Sequence, residues 1–185
     1  MAKQGKKMGR REKPEFDQKL LNLARVTRVV KGGRRFRFRA TLVIGNRKGK
    51  VGVGVAKGSD VSDAIKKAYN DAKKNMITVQ LAEGTLPHDI SAKLGSARVL
   101  LKPASLGRGI IAGGAVRAVV DLLGVKDIVS KSLGASNPLN VARVTIKALQ
   151  MLKAPRVPKA PVTATTHQDG SKEVSVEAAE EGITV

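Results

Sequence analysis

Cysteine and tryptophan are absent from the 185 residues, and aromatic side chains are limited to Phe16, Phe36, Phe38 and Tyr69. Without cysteine there are no disulfides and no cysteine-based metal clusters, which fits a reducing compartment. Proteins that read single strands by stacking use several aromatic platforms, so this shortage argues against that mode. No apolar run approaches the roughly eighteen residues needed to cross a bilayer, so no membrane partner is expected. Met1 to Lys13 is basic but lacks a hydrophobic stretch and does not read as a secretory signal; Glu12, Glu15 and Asp17 weigh against a transit peptide.

One absence is local. Between Arg25 and Lys50 there is no acidic residue, while ten cations occur: Arg25, Arg28, Lys31, Arg34, Arg35, Arg37, Arg39, Arg47, Lys48 and Lys50. The chain carries a formal charge of +20, and its first fifty residues hold 17 basic and 3 acidic side chains. A folded strip of one sign repels itself unless a polyanion lies against it. The partner class is therefore nucleic acid. Arginine suits phosphate because its planar fork grips two oxygens at once. Lys57 and the lysine face of the following helix, with Lys66 and Lys67, extend the candidate surface.

Catalytic sites are missing too. Gly45-Asn-Arg-Lys-Gly-Lys50 is one residue too short for a phosphate-binding P-loop, and Val51 stands where a Ser or Thr should hold magnesium. Gly52-Val-Gly54 and Gly58 have the wrong spacing for a dinucleotide fingerprint. His88 and His167 are the only imidazoles, and His88 beside Asp89 does not make an acid–base pair on a regular element. With no paired carboxylates, the chain does not read as an enzyme. No cofactor, metal or small-molecule substrate is expected.

The hydrophobic pattern predicts an α+β protein. Alternation from Leu21 to Val30, a Gly32-Gly33 turn with both glycines free to take positive φ, and alternation from Arg35 to Ile44 read as a β-hairpin. A third strand, Lys50 to Ala56, puts valines on one face and glycines on the other, leaving room for a close neighbour. Ser59 or Asp60 caps a helix whose inner face is Val61, Ala64, Ile65, Ala68, Tyr69, Ala72 and Met76. Residues 16–78 thus form three antiparallel strands plus a helix, and residues 79–152 a second α/β module. In the latter, strands at Arg98 to Lys102 and Asp127 to Leu133 frame a helix from Ile110 to Leu123. Asn137-Pro138 opens the last helix, which runs to Leu152. A basic extension (1–15) and a Pro-rich, then acidic tail (153–185) read as disordered.

Seven motifs occur in order: Lys31-Gly-Gly-Arg-Arg-Phe-Arg-Phe38, Gly49-Lys-Val-Gly-Val-Gly54, Ala64-Ile-Lys-Lys-Ala68, Gly84-Thr-Leu-Pro-His88, Leu100-Leu-Lys-Pro-Ala104, Gly109-Ile-Ile-Ala-Gly-Gly-Ala-Val-Arg117 and Asn137-Pro-Leu-Asn140. Over residues 18–152 the chain resembles the bacterial-type ribosomal protein S-five family of the small subunit. The resemblance implies an N-terminal domain like double-stranded-RNA-binding domains and a C-terminal α/β domain. It implies contacts with 16S ribosomal RNA and with proteins S-four and S-eight, and a position along the path by which messenger RNA (mRNA) enters. It also implies a role in translational accuracy; a cytoplasmic ribosome is expected, although a plastid copy would look similar. Lys31, Gly32 and Gly33 would reach the spectinomycin region, and Gly107, Arg108, Gly109 and Arg117 the S-four interface. Two segments depart from the family pattern: Asn46-Arg47-Lys48 replaces the usual Asp-Gly-Asn, and Arg108 replaces a small hydroxyl residue. The alternative is a free-standing regulator that binds double-stranded RNA outside the ribosome.

Overall fold

Alternation in the first third builds a four-stranded antiparallel sheet. Its order is β1 (Asp17–Val30), β2 (Gly33–Gly45), β3 (Lys50–Gly58) and β4 (Met76–Thr78). The computed structural model describes residues 15–81 and 84–153. The expectations for the basic extension and the acidic tail therefore lie outside the described residues, apart from Glu15 and Lys153. β4 was not expected; it pairs with Lys50 to Gly52 and makes the three-stranded module four-stranded.

β1 starts at Asp17, beside Phe16 where the sequence turns strand-like, and breaks register between Leu20 and Asn22. The break is a bulge that leaves Leu21 without a partner on β2. Leu21 packs on a core that both halves of the chain share, while Leu20 lies across from Leu42. The hairpin tip also differs from expectation. Val30 pairs with Gly33, so the two loop residues are Lys31 and Gly32, and of the two glycines only Gly33 has positive φ (134°).

The glycine face of β3 does what its composition requires. Helix α1 (Val61–Lys74) lays Ala64, Ala68 and Ala72, all fully buried, directly on it. A Cβ placed at Gly54 would collide with the Ala68 carbonyl and with Ala72, and one at Gly52 with the Ala72 carbonyl. Leu42 and Ile44 of β2 fill the rest of this interface, each contributing about 1.5–3 kcal/mol by burial. Asp60 occupies the N-cap, but its side chain bonds no helix N–H and instead accepts from the Ser62 hydroxyl at 2.7 Å. That bond holds the Asp60 carboxyl below its ordinary pKa.

The opposite face of the first sheet, with Val43, Val51 and Val53, belongs to a larger core shared with the second half. There, β5 (Ile90–Leu94), β6 (Ala97–Pro103), β7 (Ile110–Ile111) and β8 (Ile128–Gly134) form a sheet of order β5-β6-β8-β7. Only β7 and β8 run parallel. They are joined through helix α2 (Gly114–Leu123), as a parallel pair requires. The helix expected from Ile110 therefore starts four residues later, because Ile110 and Ile111 are drawn into strand pairing with Ile128 and Val129. Helix α3 (Pro138–Gln150) begins as expected, with the Asn137 side chain accepting from the Leu139 N–H at 3.1 Å, and ends two residues before Leu152.

α2 packs on the first sheet and on α3, and α3 packs on β5 and β6. The layers thus run α1, first sheet, α2 with α3, second sheet. Gly54→Ala is expected to lower unfolding free energy by about 2–3 kcal/mol or to prevent folding, since backbone rather than a flexible side chain blocks the new methyl. Urea unfolding of the variant beside the parent checks it.

Candidate nucleic-acid interface

The register of β1, β2 and β3 divides the hairpin's cations between two faces. Arg28 lies directly across from Arg35, Val26 from Arg37, and Arg39 across from Lys57. Pleating puts Arg28, Arg35, Arg37, Arg39 and Lys57 on one face. Val26, Thr27, Arg28, Arg35, Arg37 and Lys57 line a groove of about 230 Å³ on it. Two cross-strand pairs here, Arg28 with Arg35 and Arg39 with Lys57, set like charges opposite each other, an arrangement that destabilises a sheet. None of these five joins an ion pair among the described residues. An anion entering the groove relieves that repulsion.

Arg25 points the other way. It lies over the Phe36 ring, 4.8 Å from its centroid, on the face that continues into the α1 interface. Arg34 shares the pleat of Phe36, and Lys31, Gly32 and Gly33 form the exposed tip. Leu23, Val29 and Phe36 are exposed on this side. The arm is thus basic on one face and mixed apolar on the other.

Arg47, Lys48 and Lys50 do not join either face. They lie past the far end of β2, about 33 Å from Arg35 at strand rise. Their turn is a docking element. Asn46 Oδ1 accepts from the N–H groups of Lys48 (2.8 Å) and Lys50 (3.0 Å), while the N–H groups of Arg47 and Gly49 each donate at 2.9 Å to the carbonyls of Leu122 and Leu123 at the end of α2. Arg47 is the one non-glycine with positive φ (55°) among the described residues, and its Nε meets Asp17 at 3.0 Å. The continuous strip expected from Arg25 to Lys50 is therefore divided: Arg28, Arg35, Arg37 and Arg39 share one face, Arg25 and Arg34 the other, Lys31 the tip, and Arg47, Lys48 and Lys50 a separate turn.

Lys66 and Lys67 are exposed on α1, on the side of the first sheet away from Arg35, Arg37 and Arg39. Lys67 pairs with Asp63 at 2.8 Å. These two lysines do not extend the arm's basic face; Lys57 does. Gly107, Arg108 and Arg117 are exposed along the loop, β7 and first turns of α2. Gly107 and Gly109 take positive φ (85° and 74°). Gly109 donates at 2.7 Å to the buried carboxylate of Asp127, and the Ile128 N–H donates to the Gly109 carbonyl at 3.1 Å. Asp127 and Asn46 are anchors that sequence reading missed. An Asn at the head of a basic turn was the available signal for one; nothing local marked the other.

No group of His, Cys, Asp and Glu able to hold a metal ion occurs among the described residues, and no described helix is long and apolar enough to cross a membrane. The carboxylate of Asp89 meets Lys102 at 3.5 Å.

The family description "Ribosomal protein S5, N-terminal domain" matches residues 16–80, and "Ribosomal protein S5, C-terminal domain" matches residues 92–161. Small ribosomal subunit protein uS5 of Campylobacter jejuni subsp. jejuni serotype O:23/36 (strain 81-176) is 53% identical over 146 residues, covering 79% of this chain and 99% of that protein. The uS5 proteins of strain RM1221 and of serotype O:2 (strain ATCC 700819 / NCTC 11168) show the same identity and coverage. Two α+β halves, each matching its own domain description, define a non-enzymatic ribosomal protein. The chain belongs to the ribosomal protein S5 family.

The αL backbone at Arg47 falls where the family pattern has glycine. Arg47→Gly is expected to leave stability within about 1 kcal/mol, because relief of the αL cost offsets added chain entropy and the lost pair with Asp17. Arg47→Val is expected to cost about 1–2 kcal/mol more, since a β-branched side chain tolerates αL worst. Thermal unfolding of both variants gives the comparison.

Proposed function

We propose that this chain is a structural component of the small ribosomal subunit that grips 16S ribosomal RNA through the basic face of its β1–β2 arm. The observation that carries the reading is the like-charge register: Arg28 opposite Arg35 and Arg39 opposite Lys57, with no acid among their ion-pair partners in the described residues. Such a face is less strained against an anion than in free solution. The near-absence of aromatic side chains from it selects the RNA backbone over unstacked bases. The apolar face with Phe36 and Arg25 then lies against whatever borders that RNA.

In this reading the Lys31-Gly32-Gly33 tip reaches the spectinomycin region. Gly107, Arg108, Gly109 and Arg117 meet protein S-four, protein S-eight is a second neighbour, and the body stands beside the path of incoming mRNA in a cytoplasmic ribosome, supporting subunit assembly and translational accuracy. The seven ordered motifs and the 53% identity to uS5 relatives support it. Arg47, Lys48 and Lys50 act first as a docking turn, with the exposed ends of Lys48 and Lys50 free for a separate RNA segment.

Changing Arg35, Arg37 and Arg39 together to Gln is expected to reduce the slope of log affinity against log salt by about 2–3 for 16S RNA, and Arg25→Gln by less than about 1. Filter binding across a salt series measures both, and equal slopes for triple variant and parent would refute the grip. Deleting Gly33 removes the positive-φ residue that closes the tip and shifts β2 by one place, which exchanges its faces. Spectinomycin sensitivity of ribosomes carrying that variant is expected to change. Unchanged inhibition would remove the tip from the antibiotic region. Co-sedimentation of the native protein with small subunits at low salt separates this reading from a free-standing RNA-binding regulator.

A further inference from the structure

Helix α1 rests on the glycines of β3, where Gly52, Gly54 and Gly58 meet its backbone, and on Leu42 and Ile44 of β2. β1 is the edge strand of the same sheet and is left bare on that side. The register sets Leu20, Leu23 and Val29 of β1 there, together with Phe36 and Phe38 of β2. Leu20, Leu23, Phe36 and Val29 are 46%, 40%, 49% and 74% exposed, although each has another apolar side chain opposite or diagonal to it. Beside α1 this strip deepens into two adjoining cavities of about 190 and 330 Å³, which share Gln18 and Ile65 and extend to Tyr69. Three cations stand along the trough, Arg25 and Arg34 on the arm and Lys66 on α1. None of the three joins an ion pair among the described residues, and no residue lining the two cavities is acidic.

We infer that the trough between α1 and β1 is a docking groove for an amphipathic helix of another protein, its apolar stripe bordered by acidic side chains. The inference goes beyond the RNA grip and does not depend on it, because the trough lies on the opposite face of the arm. Dimensions choose a helix. β1 lies two strands from β3, about 10 Å, so a helix laid over β1 stands at the ordinary distance for packing beside α1. From Leu20 to Val29 the strip is about 30 Å long at strand rise, the length of a helix of about 20 residues. A strand added to the edge of β1 would extend the sheet and leave the upward-facing side chains as bare as before. Chemistry chooses a protein. A contiguous apolar strip is buried by apolar side chains and not by a phosphate backbone. Phe36, the exposed ring on the strip, already has Arg25 over its face at 4.8 Å, which takes the place of a stacked base. Charge chooses the borders. Unpaired cations at both ends of the trough favour acids along the incoming helix and disfavour a basic one.

The test uses the full chain and a dye-labelled helical peptide of about 20 residues. Its leucines recur at i, i+3, i+4 and i+7 with glutamates beside them, and a shuffled peptide of equal composition has no stripe. Fluorescence anisotropy is expected to show the parent binding the striped peptide at least about tenfold more tightly than the shuffled one. Leu20→Ser with Leu23→Ser should remove that preference, and Arg25→Gln with Arg34→Gln should weaken binding about three- to tenfold and flatten its salt dependence. All four positions are exposed, and an unchanged melting temperature shows that each variant is folded. Equal binding of the two peptides by the parent would reduce the contact to net charge and overturn the groove. So would a leucine variant that binds like the parent, since the peptide then sits elsewhere. If a peptide of alternating valine and glutamate binds more tightly than the striped one, an added strand replaces the helix. If the leucine variant loses salt slope for 16S RNA while Arg35, Arg37 and Arg39 changed to Gln keeps it, the trough is the RNA surface and the reading of the arm falls with the groove. A parental RNA slope in the leucine variant, with peptide preference lost, supports the groove and leaves the arm as it stands.

Discussion

The contact between the glycine face of β3 and the alanine face of α1 is the constraint from which the other positions follow. Backbone approaches backbone there, so neither element can slide without a clash between main-chain atoms. That contact fixes α1 against one face of the first sheet and commits Val43, Val51 and Val53 to the other. The valines then have to be covered, and α2 with α3 covers them. What remains of β1 and β2 beyond this sandwich has nothing left to pack against. The arm stands out as a two-stranded ribbon because the core ends near Ala40.

Charge occupies the part of the sheet that packing does not use. Inside the sandwich the odd-numbered residues of β2 are Thr41, Val43 and Gly45; outside it they are Arg35, Arg37 and Arg39. A single strand thus passes from hydrophobic burial to electrostatic exposure without changing face. The same division recurs on the second sheet, where inward positions build the core and outward ones carry lysine and arginine. Both surfaces contain cations directly opposed across strands, a cost in the isolated chain of up to about 1 kcal/mol per pair. A polyanion laid against such a face would relieve that cost.

Much of this was legible in the sequence, for local reasons. Period-two alternation exposed β1, β2 and β3, the Gly-x-Gly spacing foretold a close neighbour, and Asn137-Pro138 marked a helix start. What was not legible depended on partners distant along the chain. Ile110 and Ile111 become a strand only because Ile128 and Val129 lie beside them. The bulge at Leu21 lies where that residue meets a core shared with the other half. The basic strip looked continuous because sequence order hides both the pleat that turns Arg25 away from Arg28 and the strand length that carries Arg47 out of reach. Nor could the chain's order reveal that the Asn46–Gly49 turn would be held by carbonyls at the end of α2.

β2 runs unbroken from the tip at Gly33 to the turn at Asn46, clamped between helices at one end and unsupported at the other. Mechanically it is a cantilever. A sideways load on the tip becomes a bending moment at the clamped end, where the neighbouring turn is bonded to α2. The helix in turn leads back to the Gly107–Gly109 loop through β7. Distant contacts of this chain are therefore joined by a stiff lever, and motion at one has a short mechanical route to the other.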